Sequence, residues 1–184
     1  AYVYLSGNAE RNSTLTVASG YTLYLCLNGN TLSPASGFTG RAITVSSGAT
    51  FVLTDCGGGG AISGFTSSTS GGGGVRIYKG TFTMYGGTIS GNRTTGSRGE
   101  GDGGGVYNYD GTFTMENVTV SDNTANTTED TYGCCGGGIY CSTGTLTIRG
   151  GTISGNDVGV NVGNSTVTIS GGTISGGRYD LYSY

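Results

Sequence analysis

Residues 72–92 read GGGVRIYKGTFTMYGGTISGN, residues 103–123 read GGGVYNYDGTFTMENVTVSDN, and residues 136–156 read GGGIYCSTGTLTIRGGTISGN. A fourth unit, DVGVNVGNSTVTISGGTISGG, follows without a gap at residues 157–177, and a fifth starts at Arg178 and stops at Tyr184. Internal repetition at a fixed period is the mark of a solenoid or array, because one unit cannot bury its own apolar face.

Within each unit apolar and polar residues alternate with period two, the signature of a strand. The first short strand carries Val75, Val106, Ile139 and Val160, followed two residues on by Ile77, Asn108, Cys141 and Val162. A second carries Phe82, Phe113, Leu146 and Val167, then Met84, Met115, Ile148 and Ile169. A third carries Ile89, Val120, Ile153 and Ile174. Coils stacked about 4.8 Å apart would bring these like residues into continuous buried columns. The expectation is an all-β, right-handed, single-stranded parallel β-helix of about six to seven coils with three short strands per coil.

The whole chain, 1–184, reads as one domain. Residues 1–71 hold diverged coils: Leu15, Val17, Leu23, Leu25 and Leu32 follow the column order, as do Ile43, Val45, Phe51, Leu53 and Ile62. Residues 72–177 are the regular units, and 178–184 begin a terminal coil. Gly20, Gly48, Gly80, Gly111 and Gly144 mark a bend where a positive φ would cost other residues. Asn92, Asn123 and Asn156 mark another, where asparagine tolerates left-handed backbone and stacked amides can bond coil to coil. Insertions at 93–102 and 124–135 leave one corner of neighbouring coils, which is where function is expected.

Composition narrows the classes. Forty glycines with one proline and only 10% charged residues would read as low complexity if the glycines lacked fixed offsets. Lys79 is the sole lysine, the net charge is −3, and no basic stripe exists to meet nucleic acid. No apolar run reaches the length of a membrane span. Ala1–Leu5 already reads as a strand, so the chain is expected to be a processed or excised piece, with no signal peptide. A secreted protein with one or two disulfides fits the scarcity of lysine and the Ser/Thr-rich surface. Cys26 and Cys56 fall in neighbouring coils and can bridge, and a bond between Cys134 and Cys135 would be strained. Cys141 sits in an inward column as a small core residue.

The tetrads Gly73-Gly74-Val75-Arg76, Gly104-Gly105-Val106-Tyr107 and Gly137-Gly138-Ile139-Tyr140 resemble the repeats of polymorphic outer-membrane proteins and related glycine-rich β-helix repeats of bacterial surface proteins. That family sets a phenylalanine three residues before an asparagine; here Ile89, Val120 and Ile153 stand in that place before Asn92, Asn123 and Asn156. The resemblance covers residues 72–177. It implies a module on the bacterial cell surface, a stalk or adhesin segment, and no catalytic residue.

The candidate sites follow from residue chemistry. With no histidine there is no hydrolase-type acid–base pair and nothing to activate a cysteine, so catalysis is not expected. A polysaccharide lyase is the runner-up; its nearest sign is Arg76-Ile77-Tyr78-Lys79, where Arg76 and Lys79, three apart, should face opposite sides of a strand. Glu100, Asp102, Glu129 and Asp130 lie in the two insertions, and a calcium ion is the cofactor they would hold. Tyr107 and Tyr140, with Tyr78 and Tyr109, are expected to form an exposed aromatic patch for a glycan or a surface protein. The pairs Thr81/Thr83, Thr112/Thr114, Thr145/Thr147 and Thr166/Thr168 should build a flat outward face, an alternative ice-binding surface or an ordinary threonine ladder. Neither end shows a cap, so the chain is expected to continue into neighbouring domains or to stack end to end with copies of itself.

Overall fold

The computed structural model describes residues 1–69, 71–95, 102–125 and 135–183, the side chains of Asp102 and Cys135 excepted. Among the described residues there is no helix, and every strand pairing is parallel. The chain is a β-solenoid at least four turns deep.

Three long ladders run along it. The first joins Tyr2–Tyr4, Thr22–Cys26, Thr50–Thr54 and Thr81–Met84 to residues 112–115 and 145–148. The second joins Ala9–Arg11, Thr31–Pro34, Ala61–Ser63, Thr88–Ser90 and Val118–Ser121 to residues 151–154. The third joins Leu15–Val17, Ile43–Val45 and Val75–Tyr78 to residues 106–109 and 139–143. Ile139–Ser183 is extended over 45 residues. Drawn straight it would span about 150 Å, but it pairs with both Val106–Met115 and Val118–Ser121 and therefore winds around the stack.

A fourth, shorter ladder departs from the three-strand expectation. Thr66–Ser67, Arg93–Thr94 and Thr124–Ala125 pair at the corner where the insertions begin, and Asp102–Gly103 pairs with Cys135–Gly136 where they end. Both insertions are thus rooted side by side on adjacent coils. Their middles, with Glu100, Glu129, Asp130 and Cys134, lie outside the described residues.

The alternation places apolar residues inward as the period demands. Phe51, Phe82, Phe113 and Leu146 are fully buried in one column, and Val167 in the outermost part of the stack is half-buried against it. The rings of Phe82 stack on Phe51 and Phe113 at 4.9 Å each, close to the rung spacing. Each such ring contributes about 2–3 kcal/mol through burial, plus roughly 0.5–1.5 from stacking.

One polar column runs through this interior. Asn92, Asn123 and Asn156 are buried. Asn92 Nδ2 donates to the Ile62 carbonyl on one side (3.0 Å) and to Asn123 Oδ1 on the other (3.1 Å). Asn123 Nδ2 repeats the pattern, donating to the Ile89 carbonyl and to Asn156 Oδ1, both at 3.0 Å. The same oxygens accept the backbone N–H of Asn92 and Asn123 at 3.0 and 2.9 Å, and Asn92 Oδ1 accepts from Phe65 N–H at 3.1 Å. The left-handed backbone expected at these asparagines falls one residue earlier, on Gly91, Asp122 and Gly155, with φ of 62°, 57° and 65°. That displacement swings each amide inward instead of leaving it in the bend.

The glycine tetrads belong to the same column. A Cβ on Gly105 would lie 2.7 Å from the Gly138 carbonyl oxygen and 2.9 Å from Asn123 Nδ2. Glycine is therefore needed there for close approach, and its φ is not positive. The first bend divides similarly. Gly20, Gly48 and Gly144 take positive φ, but in the two coils between them Lys79 and Asp110 do so, at 55° and 53°, ahead of Gly80 and Gly111.

Cys26 and Cys56 form the expected disulfide across adjacent coils, 30 residues apart in sequence. Two stability tests follow. Asn123→Ala leaves the Ile89 carbonyl and the Asn92 N–H groups buried without partners, and chemical denaturation is expected to show a loss of about 3–5 kcal/mol. Cys26→Ser with Cys56→Ser reopens a loop of that length and is expected to lose about 3–4 kcal/mol in the same assay.

Candidate functional site

The third ladder ends in the bend at Lys79, and its outward residues build the candidate site. Arg76 follows Thr16 and Thr44 in one outward column and precedes Tyr107 and Tyr140. Tyr78 and Tyr109 are partners in the next column. Their rings stack at 5.5 Å with an interplanar angle of 4°, and each residue keeps close to two-fifths of its surface exposed (39% and 38%).

The four tyrosines expected to form one exposed patch divide into two pairs. Tyr107 and Tyr140 occupy matching positions in adjacent coils, yet both are buried, at 6% and 4% exposure. The cause for Tyr107 is Gly71: a Cβ there would lie 2.1 Å from the tyrosine ring, so the crossing segment rests directly on it. Tyr107 and Tyr140 are therefore packing groups, and the accessible platform is Tyr78 with Tyr109.

Charges gather on that platform in a way strand alternation does not anticipate. Arg76 and Lys79 were expected on opposite sides, but the Arg76 guanidinium lies 5.4 Å from the Tyr78 ring centroid and the Lys79 ammonium 5.9 Å from it. Alternation holds as far as Tyr78; the left-handed residue Lys79 then turns its side chain back over the ring. Lys79 also pairs with Asp110, the left-handed residue of the next coil, at 3.6 Å. Both partners are about half-exposed, so this ion pair contributes under about 1 kcal/mol. Arg76 Nε is buried and has no hydrogen-bond partner among the described residues. Nearby, Arg41 is buried and donates to the Gly71 carbonyl at 2.8 Å and to Thr69 Oγ1 at 2.5 Å. Burial, and secondarily the Arg76 cation, lower its pKa to about 10. The signal for this convergence is present in the sequence as Tyr-Lys-Gly and Tyr-Asp-Gly at matching positions, since a residue before glycine at a strand end is a frequent left-handed bend.

The threonine face is longer than the T-x-T pairs indicate. Thr22 and Thr50 precede Thr81, Thr112 and Thr145 in one unbroken column. The neighbouring column reads Tyr24, Val52, Thr83, Thr114 and Thr147, with Tyr2 stacked on Tyr24 at 4.5 Å. Thr112, Thr166 and Thr168 are exposed, and Thr81, Thr83, Thr114, Thr145 and Thr147 are half-exposed. Exposed Tyr85 and the ion pair of Glu116 with Arg149 (3.7 Å) lie on the residues following Met84, Met115 and Ile148.

Among the described residues no three His, Cys, Asp or Glu side chains come together as a metal site would require. The carboxylates of Glu100, Asp102, Glu129 and Asp130 and the thiols of Cys134 and Cys135 fall outside that description. Cys141 is a buried free thiol in the column of Ile77 and Asn108, and it accepts from Asn108 Nδ2 at 3.3 Å. No protein-family model, no curated protein and no solved structure matches this chain.

Burial raises the Cys141 thiol pKa, against smaller opposing effects from Ser165 and Asn108. The folded protein thus favours the neutral thiol, a contribution to stability that is full below the thiol's ordinary pKa and declines as pH rises through it. In mass-mapped labelling with a thiol reagent at pH 8, the Cys141 peptide is expected to stay unmodified until denaturant unfolds the chain. Labelling of Cys141 in the native protein would show that the column is open.

Proposed function

We propose that this chain is a non-catalytic, secreted module of a bacterial cell surface, an adhesin or stalk segment that binds a glycan or a surface protein through the Tyr78–Tyr109 platform. The observation that carries this reading is the pair of parallel, stacked and partly accessible rings held at a fixed spacing by two adjacent rungs. Flat aromatic faces with a hydroxyl at the rim suit sugar rings, and a rigid sheet presents them with little entropy left to lose on binding. The repeat resemblance over residues 72–177 supports the surface setting, and the Cys26–Cys56 bond is compatible with an oxidising compartment.

We take the solenoid to be right-handed, in keeping with the strong preference of parallel β crossovers for that hand. A total of six to seven coils is supported by the six strands of the second ladder together with the unit at residues 157–177. The open parallel edges of the stack also make end-to-end association with a second copy part of this proposal.

Ice binding is a second reading, favoured by the five-threonine column Thr22–Thr50–Thr81–Thr112–Thr145. It requires measurable thermal hysteresis, and a freezing point equal to the melting point would remove it.

Binding to an array of immobilised glycans and surface proteins tests the first reading. The wild type is expected to retain at least one class of ligand, and Tyr78→Ala combined with Tyr109→Ala to weaken it at least tenfold with the melting temperature little changed. Retention by neither protein would leave a plain spacer, and release of new reducing ends from a bound glycan would make the module an enzyme.

A further inference from the structure

The platform carries more positive charge than its own fold uses. Among the described residues the Arg76 side chain has no hydrogen-bond or ion-pair partner, and its guanidinium lies over the Tyr78 ring. Its position does not require a cation: Thr16 and Thr44 fill the same outward column in the coils before it. A guanidinium there lies close enough to buried Arg41 to help depress that residue's pKa, so the charge is held against a like neighbour. Lys79 has Asp110, but the pair is half-exposed at 3.6 Å and readily exchanged for another anion. Hydrogen-bond capacity is as lopsided as charge. Beyond its buried Nε, Arg76 carries four terminal N–H donors and Lys79 three, against one Asp110 carboxylate. A neutral sugar needs a balance of donors and acceptors, whereas a carboxylate or sulfate takes donors alone and pairs bidentately with a guanidinium.

We propose that the Tyr78–Tyr109 platform takes an anionic sugar, a ring bearing a carboxylate or sulfate, that packs against the exposed side of the stacked tyrosine pair with its charged group between Arg76 and Lys79. This rests on the glycan-binding reading above and names the class of glycan. The rings and the cations then act together. Packing against the tyrosine pair selects a sugar ring over a flexible polyanion, and the cations select an acidic sugar over a neutral one. Asp110 acts as the resident competitor for Lys79 and sets how strongly the anion must bind to displace it.

Calorimetric titration of the whole chain at low and at physiological salt tests this with four probes: an oligogalacturonate for carboxylate, a heparin-derived oligosaccharide for sulfate, a cello-oligosaccharide of equal length as the neutral sugar, and polyaspartate as a polyanion without sugar rings. One or both acidic oligosaccharides are expected to bind at least tenfold more tightly than the neutral one and than polyaspartate, with affinity falling as salt rises. Arg76→Thr, which restores the residue of the two preceding coils, is expected to weaken acidic binding at least tenfold. Asp110→Asn, compatible with the left-handed backbone there, is expected to strengthen it severalfold. Neutral binding as tight as or tighter than acidic binding, with Arg76→Thr without effect, would overturn this inference and leave the glycan platform standing. Polyaspartate binding as tightly as the acidic sugars would overturn it by showing capture by charge alone. Failure of all three oligosaccharides to bind the wild type would overturn both readings.

Discussion

A primary amide has two N–H donors and an oxygen with two lone pairs, and in the middle of this solenoid all of that capacity is directed along the stacking axis. Asn123 donates to the coil before it through the Ile89 carbonyl and to the coil after it through Asn156, while its oxygen accepts the backbone N–H and one amide hydrogen of Asn92. Asn92 and Asn123 therefore each fix three coils at once, and Asn156 ties its own coil to the one before. A hydrophobic column such as Phe51–Phe82–Phe113 favours stacking but tolerates sliding, because dispersion has no direction. Slipping the amide column would leave buried donors and carbonyls unpaired, so the amides set the register and the rings supply most of the burial.

The glycine pairs and the displaced left-handed residues are consequences of that column. For the amide to point inward, the turn must occur one residue earlier, and for the next coil to approach it, the facing residue must lack a Cβ. Gly91, Asp122 and Gly155 satisfy the first condition, and Gly74, Gly105 and Gly138 the second. With register fixed, outward positions repeat rung by rung, and side chains at matching positions, such as Tyr78 and Tyr109, are placed parallel.

Strand alternation made the inward columns legible in the sequence: Phe82, Phe113 and Leu146 share an interior ladder because period two leaves them no other side. The Cys26–Cys56 bond was likewise readable from matching positions in neighbouring coils. What escaped the sequence lies where alternation stops. The ladder of Thr66–Ser67, Arg93–Thr94 and Thr124–Ala125 is too short to show a period, and it gives these three coils a fourth strand. Tyr107 looked exposed because its strand position faces out, but Gly71, remote in sequence, lies across it. Lys79 was assigned to the far side of a strand that had ended one residue earlier. The candidate site thus emerged from a bend and a non-local contact, neither of which hydrophobic periodicity records.

The bond between Cys26 and Cys56 gives a structure of near-identical layers a direction. It ties the rung of Thr22–Cys26 to the segment following Thr50–Thr54, so these two layers separate only together. The layers from residue 157 onward lie past the asparagine column, carry no such tie among the described residues, and are held by ladders that open one layer at a time. Under a steady pull, or under the slow fraying that precedes proteolysis, the layers beyond the asparagine column would peel first and the cross-linked layers last. A repetitive stack, symmetric in its hydrogen bonding, thereby behaves as a zipper with a stop at one end.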